Sequence, residues 1–516
     1  MFLKRIWSSR MAMVTMAALF ILAGPARDIA AQSIEKDRPS LTSQFSAIGL
    51  PTYVVVPSAP KHVADVPGFG PEILEYGGLE RAFGPAGQTR MPPHTEGKKH
   101  FFLTIAEVTL TNVLVWSYSR FISPQDWTKV NLDTWKKNLD RGWIYDDNRF
   151  ADNQIFHPLH GNLYYNAART NGYSYWESIP FVFFGSWTWE YFGETHPAAP
   201  NDWMNTSLGG IALGEMTFRA ASLLVDNTAT GSKRMWSEIA GGLINPVRGL
   251  NRLAKGETSK VYDNDDDLHP DLLQTTLEFG GRATGGDDTE DIFTAAYLRI
   301  DLDYGDEWED EIDSPFDTFD FDAQINFREH NQLGLIRVTG ALLSSEVSYS
   351  ETRTSSIRMM QYFEYYNSHI AEHATQAFGA AYYSSWKFSG NKRFRLAAHI
   401  RGILFGATGS EYGDLGGRTY DYGSGGGVRL QAYFDINHFE YVKIEFQSDY
   451  IQTINGAPGH HLIQVASVDV AYPLRKRMGV GASYSYINKA SWFDQFPDVQ
   501  KRNGLLKWFL RWRFGS

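Results

Sequence analysis

The sequence predicts an α+β protein: an N-terminal helical module followed by an antiparallel transmembrane β-barrel of about 12 strands, with 10–14 allowed. Three observations predict it. Apolar and polar residues alternate one by one in long segments from about Asp271 to the end, the period of a strand with one greasy and one wet face. Residues between about 100 and 250 instead form long apolar helical runs. The chain opens with a basic, apolar and small-residue leader, the three-part pattern of an exported protein.

In the leader, Lys4, Arg5 and Arg10 precede an apolar stretch from Met11 to about Ala23, and Ala30-Ala31-Gln32 supplies small residues for cleavage near Ala31. Residues 1–31 are therefore read as a signal peptide. Its loss, with four basic residues and one acid, takes the net charge from −11 to about −14. Residues 32–98 are rich in Pro and Gly, with a short extended stretch at Tyr53-Val54-Val55-Val56, and read as an irregular arm. Residues 99–256 form the helical module and 257–270 an acidic linker.

Within the module a first helix is expected near Phe101–Arg120, apolar except for Glu107, Asn112 and several Thr. A charged Glu107 disfavours full exposure to lipid. A second helix should start at His157-Pro158, since proline suits a first helical turn, and run to about Asn171. A third is expected over Tyr175–Tyr191, and another after the cap-like Pro200-Asn201-Asp202. That last helix carries Gly209, Gly210 and Gly214, where another backbone can approach closely.

In the barrel, 271–516, Phe319, Phe321, Ala323, Ile325 and Phe327 alternate with Asp320, Asp322, Gln324, Asn326 and Arg328. Segments around Phe394–Leu404, Val442–Tyr450 and Val480–Tyr486 repeat the pattern. A soluble sandwich alternates too, but strands of about 10–16 residues exceed the globular norm, and a densely charged second face suits a lumen. Aromatic residues at strand ends, such as Tyr382, Tyr383, Trp386 and Phe388, fit an interfacial girdle. The final segment sets Leu506, Trp508, Leu510, Trp512 and Phe514 against Lys507, Arg511 and Arg513. It resembles the terminal strand of outer-membrane barrels, and that resemblance implies that Trp508, Trp512 and Phe514 carry the signal read by the barrel-assembly machinery. An even count puts both chain ends in the periplasm. Strand alternation then makes the tight link Glu329–Gln332 extracellular and the long acidic link 304–315 periplasmic, against the usual loop lengths.

Composition excludes several classes. Cys is absent, which removes disulfides, thiolate metal sites and Cys nucleophiles. The acidic balance disfavours nucleic-acid binding. No HExxH, GxSxG or Walker loop occurs in the module. Asp263-Asn264-Asp265-Asp266-Asp267 imitates the start of a calcium loop, but Leu268 and Gln274 stand where an EF-hand needs Gly and Glu. The acidic run Asp306–Asp313 would meet divalent cations at a lipopolysaccharide surface or simply solvate a loop.

The chemically dense residues are His157, His160, Glu190, Glu194 and Asp202. Imidazoles and carboxylates together suit acid–base or nucleophile-activating work on a lipid ester. His157, His160, Glu190 and Glu194 also suit a divalent metal with an open position for water; no other cofactor is indicated. Asp152, Arg169, Glu215 and Arg219 read instead as a structural polar network, with Glu215 and Arg219 at i, i+4 in the favourable order.

The runs His157-Pro158-x-x-Gly161, Asn166-Ala167-Ala168-Arg169, Trp189-Glu190-Tyr191, Gly193-Glu194, Gly209-Gly210, Gly214-Glu215 and Asn251-Arg252-Leu253 resemble a bacterial envelope family known as domain of unknown function 3943. That resemblance implies a helical segment continuing into a barrel-like part and no established activity. Asp152, His157, Glu190, Asp202, Gly209 and Gly214 are more distantly similar to VanZ-like helical proteins, although Asn153 and Thr206 depart from that pattern. The expectation is an outer-membrane protein of a Gram-negative bacterium whose partners are outer-membrane lipid and lipopolysaccharide. Its periplasmic-side module would plug the barrel or bind an envelope lipid or small ligand. The alternatives are a lipid-modifying hydrolase or transferase using the His/Glu/Asp cluster, and a diffusion channel.

Overall fold

The computed structural model describes residues 98–287, 289–327, 332–413 and 417–515. The leader, its cleavage site and the arm lie outside the described residues, apart from Lys98. Seven α-helices among the described residues precede the sheet: α1 Phe101–Ser117, α2 Leu132–Arg141, α3 His157–Arg169, α4 Tyr175–Phe192, α5 Pro200–Leu224, α6 Gly231–Ile244 and α7 Pro246–Ala254. Twelve strands follow: β1 Leu273–Gly286, β2 Thr289–Tyr304, β3 Phe319–Asn326, β4 Leu333–Ser350, β5 Arg353–Ser368, β6 Ala371–Phe388, β7 Lys392–Gly409, β8 Tyr420–Ile436, β9 Phe439–Asn455, β10 Gly459–Arg475, β11 Met478–Phe493 and β12 Val499–Gly515. Each pairs antiparallel with its neighbours, and β1 pairs with β12, so the sheet closes without an edge.

The alternation decides which face is which. Arg337 of β4 pairs with Glu445 of β9 at 3.1 Å, and Arg401 of β7 pairs with Glu364 of β5 at 2.9 Å and Asp449 of β9 at 2.5 Å. β4 and β9 are five strands apart and meet only across the lumen, and Glu364, paired opposite Arg337 on the same face, brings Arg401 into the same inward set. Their sequence neighbours point outward. Over β7–β12 the outward set is open, from Ile400, 71% exposed, to Val468, Val470, Leu506, Trp508 and Leu510. This is the apolar belt of a membrane barrel.

Over the part of β2–β5 nearest the chain-end rim and mid-wall much of the same outward set is buried, although Ile292, Ile357 and Met359 stay exposed. Ile300, Leu302, Phe319, Phe321, Ile336, Val338 and Phe363 are all shielded, Val338 completely. Helix α5 packs against β4–β6 on this side. Gln361 Nε2 donates to the Leu208 carbonyl at 3.3 Å, Gln376 Nε2 donates to Asn205 Oδ1 at 2.7 Å, and Gly209 lies against the Phe363 ring. The helix starts beside Tyr422, near one rim, where Asn201 Nδ2 donates to the Tyr422 hydroxyl. It ends at the other rim, where the Arg219 guanidinium lies over the ring of Tyr304, the last residue of β2. Twenty-five residues at 1.5 Å each give about 37 Å, enough to run the height of the wall.

Two expectations change here. Among the described residues the helices do not plug the barrel; the partners of α5 carry the outward parity, so it packs outside. Nor are they confined to one end, because α5 touches both rims. The lumen is filled by the barrel itself. The connection 305–318 folds inward, and Trp308 meets the rings of Tyr383 and Tyr433 at 5.1 and 5.6 Å. Beside it a cavity of about 80 Å³ is lined by Glu278, Arg299, Asp322, Arg395, Lys443 and Arg511 among others. This also removes the conflict in loop lengths. The long acidic link does stand at the rim of the chain ends, and it is packed inside rather than hanging in solvent.

The far side of the helical module is apolar. Phe102, Leu110, Leu114, Phe121 and Ile122 of the first helical stretch are exposed, as are Trp176, Trp236, Leu250 and Leu253. Phe101–Ile122 is long and apolar enough to cross a membrane. Glu107, the expected obstacle, faces inward to polar partners: Asn171 Nδ2 at 2.8 Å and Asn251 Nδ2 at 2.9 Å both donate to it.

Candidate functional site

The expected polar residues separate into two groups at opposite ends of the α3/α5 pair. These helices touch through glycine. A Cβ on Gly161 would lie 1.8 Å from the Thr206 carbonyl oxygen, and one on Gly210 would lie 2.5 Å from Gly161 carbon. Only hydrogen fits between the two backbones. One turn before Gly161 stands His157, and two turns before Gly210 stands Asp202. The glycine crossing therefore sets the His157–Asp202 geometry.

At that end, close to the rim formed by residues 417–422, His157 Nδ1 lies 3.1 Å from Thr206 Oγ1 and His157 Nε2 lies 3.4 Å from Asp202 Oδ2. Glu190, in the last turn of α4, is fully buried. The Ala199 N–H donates to its Oε2 at 2.9 Å, whereas its Oε1 is buried without a hydrogen-bond partner. One ligand atom from each of His157, Glu190 and Asp202 lies within 4.8 Å of the others. Asn201 Nδ2 joins Asp202 Oδ1 at 2.7 Å to Asp146 Oδ1 at 2.5 Å, and Asn153 Nδ2 donates to the same Asp146 oxygen at 2.8 Å. Glu194 lies in the connection after α4, not on the helix, so it does not share a helical face with Glu190. Burial, reinforced by the Asp146 carboxylate, pushes the Glu194 carboxyl up to about 8.

His160 stands apart. Its Nε2 is 2.9 Å from the Tyr164 hydroxyl, which bonds in turn to Asn112, and its ring packs against Trp189 at 4.8 Å. Both its bonding and its packing are those of a core histidine. The residues that sequence reasoning missed are Asp146, Asn153 and Asn201. Their signal was faint: three short polar side chains beside an apolar stretch, with no fixed spacing to His157.

The second group is a buried ion network. Glu215 accepts from Arg169 Nε at 2.8 Å and Nη2 at 2.9 Å, from Tyr165 Oη at 2.7 Å and from Arg219 Nε at 3.0 Å. Arg219 Nη2 also donates to the Pro315 carbonyl at 2.8 Å and pairs with Asp317 at 2.9 Å. Glu215 is saturated, and the network ties α3 and α5 to the loop that enters the barrel. Asp152 is not part of it. It pairs with Arg149 at 2.9 Å near the opposite end, because the helical stretch there is only a turn from the rim.

Residues 142–247 match the model of the family described as domain of unknown function DUF3943. The match spans α3 to α6 and holds the helical residues of both polar groups, while Pro315 and Asp317 lie outside it. No curated protein matches the chain. Among solved structures, the NanC porin is similar at 12% identity and a TM-score of 0.25, over 45% of this chain and 98% of that one. The KdgM porin is similar at 6% identity and 0.22, over 46% and 98%. The toluene transporter TodX of Pseudomonas putida is similar at 9% identity and 0.21, over 48% and 90%. The class is set by the chain's own strand pairing: a closed twelve-stranded antiparallel barrel with helices ahead of it in sequence.

Proposed function

We propose that this is an integral outer-membrane protein of a Gram-negative envelope. Its barrel serves as a filled scaffold, and its helical module lies in the bilayer beside the barrel to bind an envelope lipid. One observation carries the reading. Part of the outward face is buried where α5 packs against β4–β6, and the module in turn leaves Phe102, Leu110, Leu114 and Trp236 exposed to the surroundings. Apolar surface of that extent needs hydrocarbon or protein against it. The tight turns 389–391, 437–438 and 476–477 lie at the rim of the chain ends, which is the pattern of a periplasmic side. The His157 end of the module then faces outward, toward the lipopolysaccharide leaflet.

The test is to reconstitute the full chain in nanodiscs with a phospholipid carrying a photoreactive acyl chain. Adducts are expected on Phe102, Leu110, Leu114 and Trp236 as well as on Leu506 and Trp508. Labelling confined to the barrel residues would overturn the placement. The His157, Glu190 and Asp202 grouping favours a second reading, a lipid-modifying hydrolase or transferase acting at that rim. Comparing the lipid composition of a deletion strain with its parent tests it, and an unchanged lipidome refutes it.

A further inference from the structure

We propose that His157, Glu190 and Asp202 bind a divalent transition-metal ion of the zinc class. The proposal goes beyond the lipid reading and does not depend on it.

Three observations support the site. First, the donor set has the right chemistry and spacing. A tetrahedral ion with bonds near 2.0–2.1 Å sets its ligand atoms about 3.4 Å apart. His157 Nε2 and Asp202 Oδ2 already stand at 3.4 Å, and the whole set lies within 4.8 Å. Small side-chain rotations close the remainder. Second, Glu190 Oε1 is a fully buried acceptor with no donor, while the Ala199 N–H fixes its other oxygen. An unmet carboxylate oxygen in such a place is costly unless a cation or a donor meets it. Third, the surroundings are negative. Asp146 is linked to Asp202 through Asn201, and Glu194 is near. Among the described residues, no lysine or arginine forms an ion pair with Glu190, Glu194 or Asp202.

Thr206 completes the arrangement. When His157 Nδ1–H donates to Thr206 Oγ1, Nε2 is left as a lone pair aimed at the carboxylates. A partner of this kind orients metal-bound imidazoles and sharpens their affinity. One nitrogen and two carboxylate oxygens are too few for calcium, which takes six to eight oxygens, and the imidazole favours the zinc class over magnesium. His157 keeps 15% of its side chain exposed, which leaves a route for an ion to reach the otherwise buried set. His160 is not a ligand, because its Nε2 is engaged by Tyr164.

The experiment uses the full chain, purified in detergent and stripped with a chelator. Titration with Co²⁺ alone should give visible d–d absorption that saturates at one ion per chain, and Zn²⁺ should displace it. H157A, E190Q and D202N should each weaken Zn²⁺ binding at least tenfold. T206V should weaken it by about tenfold, as loss of a partner to a ligating histidine does. H160Q should bind as the parent does. Near-UV circular dichroism confirms that each variant is folded. The proposal is overturned if the folded, stripped parent takes up neither ion, if uptake is unchanged in all three ligand variants, or if only Ca²⁺ or Mg²⁺ binds.

Discussion

Replacing Gly161 by alanine is the sharpest perturbation of the α3/α5 crossing. The added Cβ would stand 1.8 Å from the Thr206 carbonyl oxygen, whereas ordinary contact begins near 3.4 Å. The two backbones must separate by the difference, roughly 1.6 Å, because neither atom belongs to a movable side chain. Overpacking of this kind costs about 1–3 kcal/mol, and a gap of this size also forfeits much of the dispersion energy along the crossing. Alanine returns about 1 kcal/mol of helix propensity. The net loss should be about 2 kcal/mol, confined to the module because the barrel does not share the contact. The same separation takes His157 Nε2 from 3.4 Å toward 5 Å from Asp202 Oδ2, so Zn²⁺ affinity should fall with stability. The assay is thermal unfolding in detergent followed by tryptophan fluorescence, with the gel mobility of the unheated barrel as the control. If the variant melts like the parent and binds Zn²⁺ equally well, the glycine crossing does not set the site.

Three further outcomes follow from the same geometry. Deleting residues 306–317 withdraws Trp308 from Tyr383 and Tyr433 and should raise single-channel conductance in planar bilayers; equal currents would show that this loop does not close the lumen. Arg401→Met removes the cation shared by Glu364 and Asp449 but leaves Arg337 and Arg429 on Glu364 and His373 on Asp449, so barrel stability in denaturant titrations should fall by about 1–3 kcal/mol, less than for a buried charge left wholly unpaired; a neutral effect would refute the central role of Arg401. Glu194 is held protonated by burial, up to about 8. Because its folded value lies above the unfolded one, its stabilising share is complete below about 4.5 and fades as pH rises through about 8. Glu194→Gln should therefore flatten the decline of module stability between pH 6 and 9, and an unchanged profile would refute the assignment.

The barrel was legible because its rule is local. Period-2 alternation appears in every strand, and the wet set Arg337, Glu364, Arg401 and Glu445 is plain in the sequence even though its pairing is not. Helices α3, α4 and α5 were legible from Pro158, from the apolar run at 175–191 and from Pro200. What alternation cannot show is which stretch of an oily face meets lipid and which meets protein. Phe321, Val338 and Phe363 read like Leu506 and Leu510, yet the first three are buried, Phe363 against Gly209 of α5. Gln361 and Gln376 were the available clue. An amide in an outward position is costly in hydrocarbon unless something donates to or accepts from it, and α5 supplies those partners. The site was half legible: residue types pointed to His157, Glu190 and Asp202, but only the fold brings them together and turns His160 away.

The order of elements along the chain has a consequence for biogenesis. Helix α5 precedes β2–β5 in the chain, so when it is synthesised the surface it will clasp has not yet been made. Until the sheet has formed, Asn205 lacks Gln376, the Leu208 carbonyl lacks Gln361, and Arg219 lacks Asp317 and the Pro315 carbonyl, so the apolar faces of the helices stay uncovered. Closure of the sheet therefore comes first and clamping of the helices second, so a stalled barrel should accumulate with its helical half still open to protease.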